Sequence, residues 1–332
     1  MARPLRIQYP GAMYYVTCRG NERKEIFRCD QDRKEFLDLL AQSVNIYNIK
    51  IYSYVLMNNH FHLLVETPLG NLGEFMRHFN IIYTSYFNRK HRRSGHLYQG
   101  RYKSILVDKN EYLSVLSRYI HLNPVRTKRM TGGTKEERVS YLLNYQWSSL
   151  PGYLKEKKRE GFIDYGTVLS EYGGDNPKGR ESYKKRILND ITSGLDVKDK
   201  IIGQSVLGSD EFISWIKERF VKGRKDRESS SMRALQRHRV KDDILKAIEK
   251  ETGKSLDEIK RERGVLKHVA MDLLYRLGGL KGVEIGEMFE VDYSTVSVGR
   301  KRLRDRMQKD RALREMINQI EKRFVNNKEL TP

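Results

Sequence analysis

Cysteine is nearly missing from this chain: 332 residues hold two, Cys18 and Cys29. That excludes a disulfide framework, and the pair lacks the spacing of a structural zinc site, so both read as ordinary reduced side chains. Long apolar runs are also missing. No stretch approaches the roughly 20 residues needed to cross a bilayer, and the start MARPLRIQYPG lacks the apolar core of a signal peptide. The expectation is a protein with no membrane partner, cytoplasmic and associated with the nucleoid. The third shortage is acidic charge. Against 64 Lys plus Arg stand only 43 Asp plus Glu, a formal charge of +21. That excess points to a polyanionic partner, nucleic acid first.

The length leaves room for two domains, each with its own core. Ala12 to Arg19 is rich in Tyr, Val and Thr and stops at Gly20-Asn21, as a strand before a turn does. A helix follows, with Asp30 as its cap and Phe36, Leu40, Val44 and Tyr47 on one face. IYSYVLMNNHFHLLVE reads as two strands broken at Met57-Asn58-Asn59, a hairpin. A second helix carries the stripe Phe75, Phe79, Ile82 and Tyr86; a strand follows at Ser104 to Val107, then a helix capped by Asn110 and ended by Pro124. Strand, helix, two strands, helix, strand, helix predicts an α+β domain with helices packed on an antiparallel sheet, close to the split βαβ ferredoxin-like pattern. The predicted division is a first domain over 1–155, a polar and partly helical connector over 156–235, a helical domain over 236–307 and a charged helical tail over 308–332. Across the end of the connector, Lys217 to Lys241 is densely basic around Ser229-Ser230-Ser231, as a linker is. No repeat at solenoid periods is present.

His60-Phe61-His62 lies in a β-type run. A strand alternates faces, so both imidazoles project to one side and can share a metal ion while Phe61 points into packing. On its own the pair fits a structural role as well. In RYIHLNPVR, Tyr119 and Asn123 are four residues apart, a spacing that puts a phenol beside an oxygen ligand on one helix face. A buried tyrosine and a helix-ending asparagine would give the same spacing.

Five blocks in order, MARPLRIQYPGAMYYVTCRGNERKEIF, MNNHFHLLVETP, QGRYKSILVD, RYIHLNPVR and YQWSSLPGYL, resemble the single-tyrosine HUH transposases, especially the REP-associated tyrosine transposases. The resemblance covers roughly the first 155 residues. It implies that His60 and His62 bind a divalent ion, that Tyr119 is the nucleophile, and that Asn123, where some relatives carry Gln, completes the ligand set. It further implies a covalent 5′-phosphotyrosine with release of a 3′ hydroxyl, action on single-stranded or hairpin DNA, and a homodimer. Mixed nitrogen and oxygen ligation suits Mg2+ or Mn2+. Phenolate is a better leaving group than an alkoxide, so such a link is reversible. The alternatives are a domesticated, catalytically idle relative acting as a DNA-binding regulator, and a replication initiator or relaxase using the same chemistry.

Substrate contacts are expected in the basic loop, where Arg89, Lys90, Arg92, Arg93, Arg101 and Lys103 mix with His96, Tyr98 and Tyr102, a composition suited to backbone contacts and base stacking. Nearer the end, GVEIGEMFEVDYSTVSVGRKRL places Ile285, Phe289, Val291, Val296 and Leu303 where a helix-turn-helix needs apolar contacts. The outward set would be Tyr293, Ser294, Thr295, Ser297, Arg300 and Lys301, reaching duplex DNA. Residues 236–307 resemble the DNA-binding domain of the replication initiator DnaA, with Glu290 at a turn position where Gly is common.

Overall fold

The computed structural model describes residues 6–221, 241–262, 264–278, 280 and 282–325. They fall into two compact units, Met1–Ser231 and Met232–Pro332, each described by itself below.

Strand β1 (Ala12–Arg19) opens the first unit. It stops at Gly20, where a Cβ would sit 2.0 Å from the Lys24 carbonyl oxygen, so only glycine fits the turn. Helix α1 (Asp30–Tyr47) is capped otherwise than the sequence predicts. Cys29 is the cap residue, and the Asp32 carboxylate reaches back to accept from the Arg28 and Cys29 amides at 2.8 and 3.3 Å. Asp30 is instead the first helical residue. Strands β2 (Lys50–Met57) and β3 (His60–Thr67) form the expected hairpin over Asn58-Asn59, with an irregularity between Ile51 and Ser53. Helix α2 (Leu72–Lys90) buries Phe75, Phe79, Tyr83 and Phe87. Ile82 and Tyr86 are only half-buried. The stripe keeps a four-residue step because Tyr83 is held there, its hydroxyl donating to the Ile26 carbonyl at 2.6 Å.

Strand β4 (Lys103–Val107) leads into α3 (Lys109–His121). Its cap is Asp108, whose side chain accepts from the Asn110 amide at 3.2 Å; Asn110 lies inside the helix. The helix closes at His121, and Pro124 falls in a 3-10 turn, Asn123–Arg126. Proline has no N–H to continue the ladder, so the helix ends before it.

The sheet order is β2-β3-β1-β4-β5, where β5 is Val206–Leu207, with the first four strands antiparallel, the split βαβ arrangement. Pairing of Thr17 with His62 and Arg19 with His60 puts these four on one face. The opposite face carries Phe61, which packs against Phe36 at 4.9 Å; Phe36 in turn meets Phe79 at 4.8 Å and Tyr83 at 5.0 Å, so α1 and α2 cover that side.

Short helices α4 (Lys128–Thr131), α5 (Lys135–Asn144), α6 (Leu150–Leu154) and α7 (Gly166–Leu169) follow. The stretch after residue 155, expected as a connector, packs back into this unit as far as residue 221. Helix α8 (Pro177–Ser193) grips α3: Tyr183 Oη meets Ser117 Oγ at 2.8 Å and His121 Nδ1 at 2.7 Å, and Arg118 Nε donates to Asp190 at 2.6 Å. Strand β5 (Val206–Leu207) joins β4 in parallel, and α9 (Asp210–Ile216) follows. The serine run at 229–231 lies outside the described residues.

The second unit is helical throughout its described residues: α10 (Lys241–Thr252), α11 (Leu256–Arg261), α12 (Val265–Arg276), α13 (Gly282–Phe289), α14 (Tyr293–Met307) and α15 (Arg311–Val325). Ile285, Phe289, Val296 and Leu303 are buried in one core with Ile244, Leu273 and Met271. Helix α15, expected as part of a separate charged tail, contributes Leu313, Ile317 and Ile320 to that same core.

Candidate active site

The two histidines stand side by side on β3, ring centroids 5.0 Å apart and planes 84° apart. Asn59 fixes the first. Its amide nitrogen donates to the Arg23 carbonyl at 2.9 Å, so its Oδ1 is the atom facing His60 Nδ1 at 2.7 Å. An amide oxygen only accepts, so Nδ1 carries the hydrogen and His60 Nε2 keeps its lone pair. His62 Nδ1 meets the Tyr15 hydroxyl at 2.7 Å, and His62 Nε2 is buried without a hydrogen-bond partner. Burial, with Arg19 adding to it, pushes the His60 pKa down to about 4. Burial, then the neighbouring His60 and the cations Arg19, Lys198 and Arg126, pushes His62 down well below its ordinary value. Both imidazoles are therefore neutral at physiological pH, the form that binds metal.

Tyr119 comes from α3, which lies over the histidine face. It is 4% exposed. The ring of Tyr15 stands between the two groups, parallel to His62 at 5.6 Å and edge-on to Tyr119 at 5.9 Å. A phenol and an imidazole 57 positions apart in the chain thus meet across a single ring. Burial raises the Tyr119 pKa, and Arg126, whose guanidinium lies 4.3 Å over the ring, opposes that rise. Asn123 is placed just past the helix. Its Nδ2 donates to the carbonyls of Tyr119 and Ile120, both at 3.0 Å, so it caps α3; only its Oδ1 remains for another role. Among the described residues no cluster of three or more His, Cys, Asp or Glu side chains stands ready for a metal.

Several neighbours were given no role from the sequence. Arg126 closes the string RYIHLNPVR, and Asp196 and Lys198 fall in the expected connector; Asp196 acts on Tyr119, Tyr15 and Arg126 alike, and Lys198 on His62. Beside them a cleft of about 610 Å3 is lined by Tyr15 and by the cations Arg6, Arg101, Lys103 and Lys198, without an acidic residue. Arg101 and Lys103 of the predicted DNA-binding set are thus beside the tyrosine face, both exposed. Others in that set do not present themselves to a strand. Tyr98 is 8% exposed and its ring packs edge-on against Phe61 at 6.1 Å, which removes it as a stacking platform. Arg93 is half-buried and engaged locally, donating to Asn88 Oδ1 at 2.9 Å and the His96 carbonyl at 3.1 Å, while Arg92 is exposed.

In the second unit, α13 and α14 are joined through Glu290, Val291 and Asp292. Glu290 has φ +55, the left-handed conformation that glycine adopts without strain. The turn closes by the Val291 amide donating to the Gly286 carbonyl at 2.9 Å, and a Cβ at Gly286 would meet the Val291 oxygen at 2.5 Å. Tyr293, Ser294, Thr295, Ser297 and Lys301 are exposed along α14. Arg300 is not. It lies 3.4 Å over the Tyr275 ring and 3.3 Å from Asp272, which Arg276 also holds at 2.5 Å.

Residues 8–123, about a third of the chain, match the family model described as transposase IS200 like. Among solved structures, one of a REP-associated tyrosine transposase bound to a REP hairpin aligns at a TM-score of 0.38 and 14% identity, covering 53% of this chain and 98% of its own. No curated protein matches the chain.

Proposed function

We propose that the chain is a tyrosine transposase of the HUH type, which nicks and rejoins single-stranded or hairpin DNA. The observation that supports this reading is that the Tyr15 ring touches both Tyr119 and His62, with His60 beside His62, within the segment that matches the IS200-like transposases. In the proposed reaction the Tyr119 oxygen attacks a backbone phosphorus and the bond to the 3′ oxygen breaks. The phenol proton is lost, the departing 3′ oxygen gains one, and the DNA is left as a 5′-phosphotyrosine. Attack by a 3′ hydroxyl on that link reverses the exchange, so strands rejoin without an external energy source.

Neutral, desolvated imidazoles with one lone pair unengaged are the donor set a divalent cation takes. His60 and His62 would hold it, with Asn123 Oδ1, the atom its cap contacts leave over, as the third ligand. Mg2+ or Mn2+ held there would supply positive charge to polarise the phosphoryl oxygens and orient the scissile bond. Arg126 and Lys198 add fixed positive charge beside the same place, and the Arg101 and Lys103 cleft offers backbone contacts to the strand. The exposed face of α14 would bind duplex DNA and supply anchoring or site choice. Because the phenol and both imidazoles come from one chain, a homodimer, if formed, need not exchange its tyrosines.

The test is incubation of the protein with hairpin-bearing single-stranded oligonucleotides and Mg2+ or Mn2+, followed by denaturing electrophoresis. A covalent adduct is expected, absent in Tyr119→Phe and in His60→Ala. Firm binding without an adduct on any hairpin would favour the second reading, a catalytically idle DNA-binding regulator.

A further inference from the structure

We propose that Tyr15 is a positioning residue for the metal-binding histidine: its hydroxyl oxygen accepts the Nδ1–H of His62, fixing the tautomer that leaves Nε2 free as a ligand, and its own hydrogen faces Tyr119. This rests on the strand-transfer reading above and adds to it a residue that couples the ligand pair to the nucleophile.

The two histidines are held by parallel devices. His60 has its Nδ1 tied to Asn59 Oδ1 at 2.7 Å, and the orientation of that amide leaves no choice of donor. His62 has its Nδ1 tied to Tyr15 at the same 2.7 Å. A hydroxyl can donate or accept, so geometry alone leaves two tautomers. The surroundings decide between them. If Tyr15 donated to Nδ1, the other ring nitrogen would be an N–H, and His62 Nε2 is buried with no acceptor in reach. An N–H buried there would stay without a partner in the metal-free and the metal-loaded protein alike. With the hydrogen on Nδ1 instead, the unpartnered atom is a lone pair beside a second imidazole, which is what a cation requires.

The placement of Tyr15 supports the link to the nucleophile. It sits on β1, the central strand, flanked by β3 with the histidines and by β4 with the basic cleft. Its ring is parallel to His62 within 3° and perpendicular to Tyr119 within 1° of a right angle, so it fills the space between them and fixes both. Tyr14, one residue earlier, points to the other face and spends its hydroxyl on the Ile7 carbonyl at 2.9 Å. Neighbouring tyrosines of one strand thus have unrelated tasks.

Two measurements on the full chain test this. The first uses protein labelled with 15N in histidine, free of metal. Long-range 15N–1H correlation is expected to show His62 with its hydrogen on Nδ1, and Tyr15→Phe to shift it to Nε2–H or to a mixture. An Nε2–H form in the unmutated protein would overturn the proposal without need of any variant. The second titrates Mn2+ alone into the protein by calorimetry. Tyr15→Phe is expected to weaken Mn2+ binding about 10–100-fold, the usual effect of removing a ligand's hydrogen-bond partner. Tyr83→Phe, which deletes an equally buried hydroxyl on the opposite face, is expected to leave it unchanged. Equal Mn2+ affinity in Tyr15→Phe and the parent sinks the positioning role and leaves the strand-transfer reading standing. Failure of the parent to bind Mn2+ at all sinks the metal reading and the proposal together.

Discussion

Glu160 shows how one side chain makes the whole fold sensitive to pH. Its carboxyl is largely buried with a single neutral partner, the Tyr54 hydroxyl at 2.7 Å, and burial pushes its pKa up to about 7 from an ordinary 4.5. Between those values the folded chain keeps a proton that the unfolded chain has released. Folding then takes up a proton, so the stability contribution is full below 4.5 and is lost as pH rises through 7. Glu160→Gln keeps an acceptor for Tyr54 and removes the charge. It is expected to flatten the stability profile and to gain on the order of 2 kcal/mol over the parent at pH 8, with little difference at pH 4, by chemical denaturation. At this scale the sequence was partly legible. His60 and His62 are recognisable as a same-side pair because strand periodicity is local, and Tyr119 because RYIHLNPVR is a continuous string. Tyr15, Asp196 and Lys198 are not, since each matters only through a register or a packing that brings distant segments together, while Arg126 closes that same string and its residue type alone does not show that it lies over the Tyr119 ring. Tyr98 and Arg300 failed for the opposite reason: their residue types suit DNA, but a core ring and an internal carboxylate already engage them.

Among the elements, α3 bears the candidate nucleophile and is held on three sides. Ser53 meets Ser117 at 2.7 Å from the sheet, Ser149 meets His121 at 2.7 Å, and α8 binds Ser117, Arg118 and His121. The Arg118–Asp190 pair is buried on both sides, so removing one partner strands a charge. Arg118→Ala and Asp190→Ala are each expected to cost about 3–5 kcal/mol in denaturant unfolding, whereas Arg118→Met with Asp190→Leu should cost much less than either alone. A simple additive result would show that the pair is not coupled. In the second unit, Glu290→Gly is expected to raise stability by up to about 1 kcal/mol, because a side chain at φ +55 is strained and glycine is not. The position was noticeable in the sequence as a turn lacking its usual glycine. Helix caps were less legible: Asp30 and Asn110 have the right chemistry but stand beside Asp32 and Asp108, which do the work, because capping depends on where a helix begins to within one residue.

For the whole molecule, two units with separate cores predict independent behaviour. Calorimetry is expected to resolve two unfolding transitions. A chain ended after Ser231 should keep hairpin adduct formation, and the salt dependence of its DNA binding should be shallower than that of the full chain, since fewer phosphates are neutralised. An unchanged slope would mean that the second unit touches no DNA in the complex. The α+β layout of the first unit was readable over residues 12–121 because the strands and helices there repeat with a clear period. The role of residues 156–221 was not, because a two-residue strand and a polar helix carry no periodic signal, and their place is fixed by partners more than 60 positions away.

The pairing of β5 with β4 sets a practical lower limit on how short this protein can be made. Leu106 and Asp108 send their amides to the carbonyls of Ser205 and Leu207, at 2.7 and 2.8 Å. A fragment trimmed to the portion that looks like its relatives would uncover those donors along a bare strand, inviting a neighbour's backbone to zip onto it. Such a fragment should precipitate or self-associate, and it would do so for want of a rim that no motif marks.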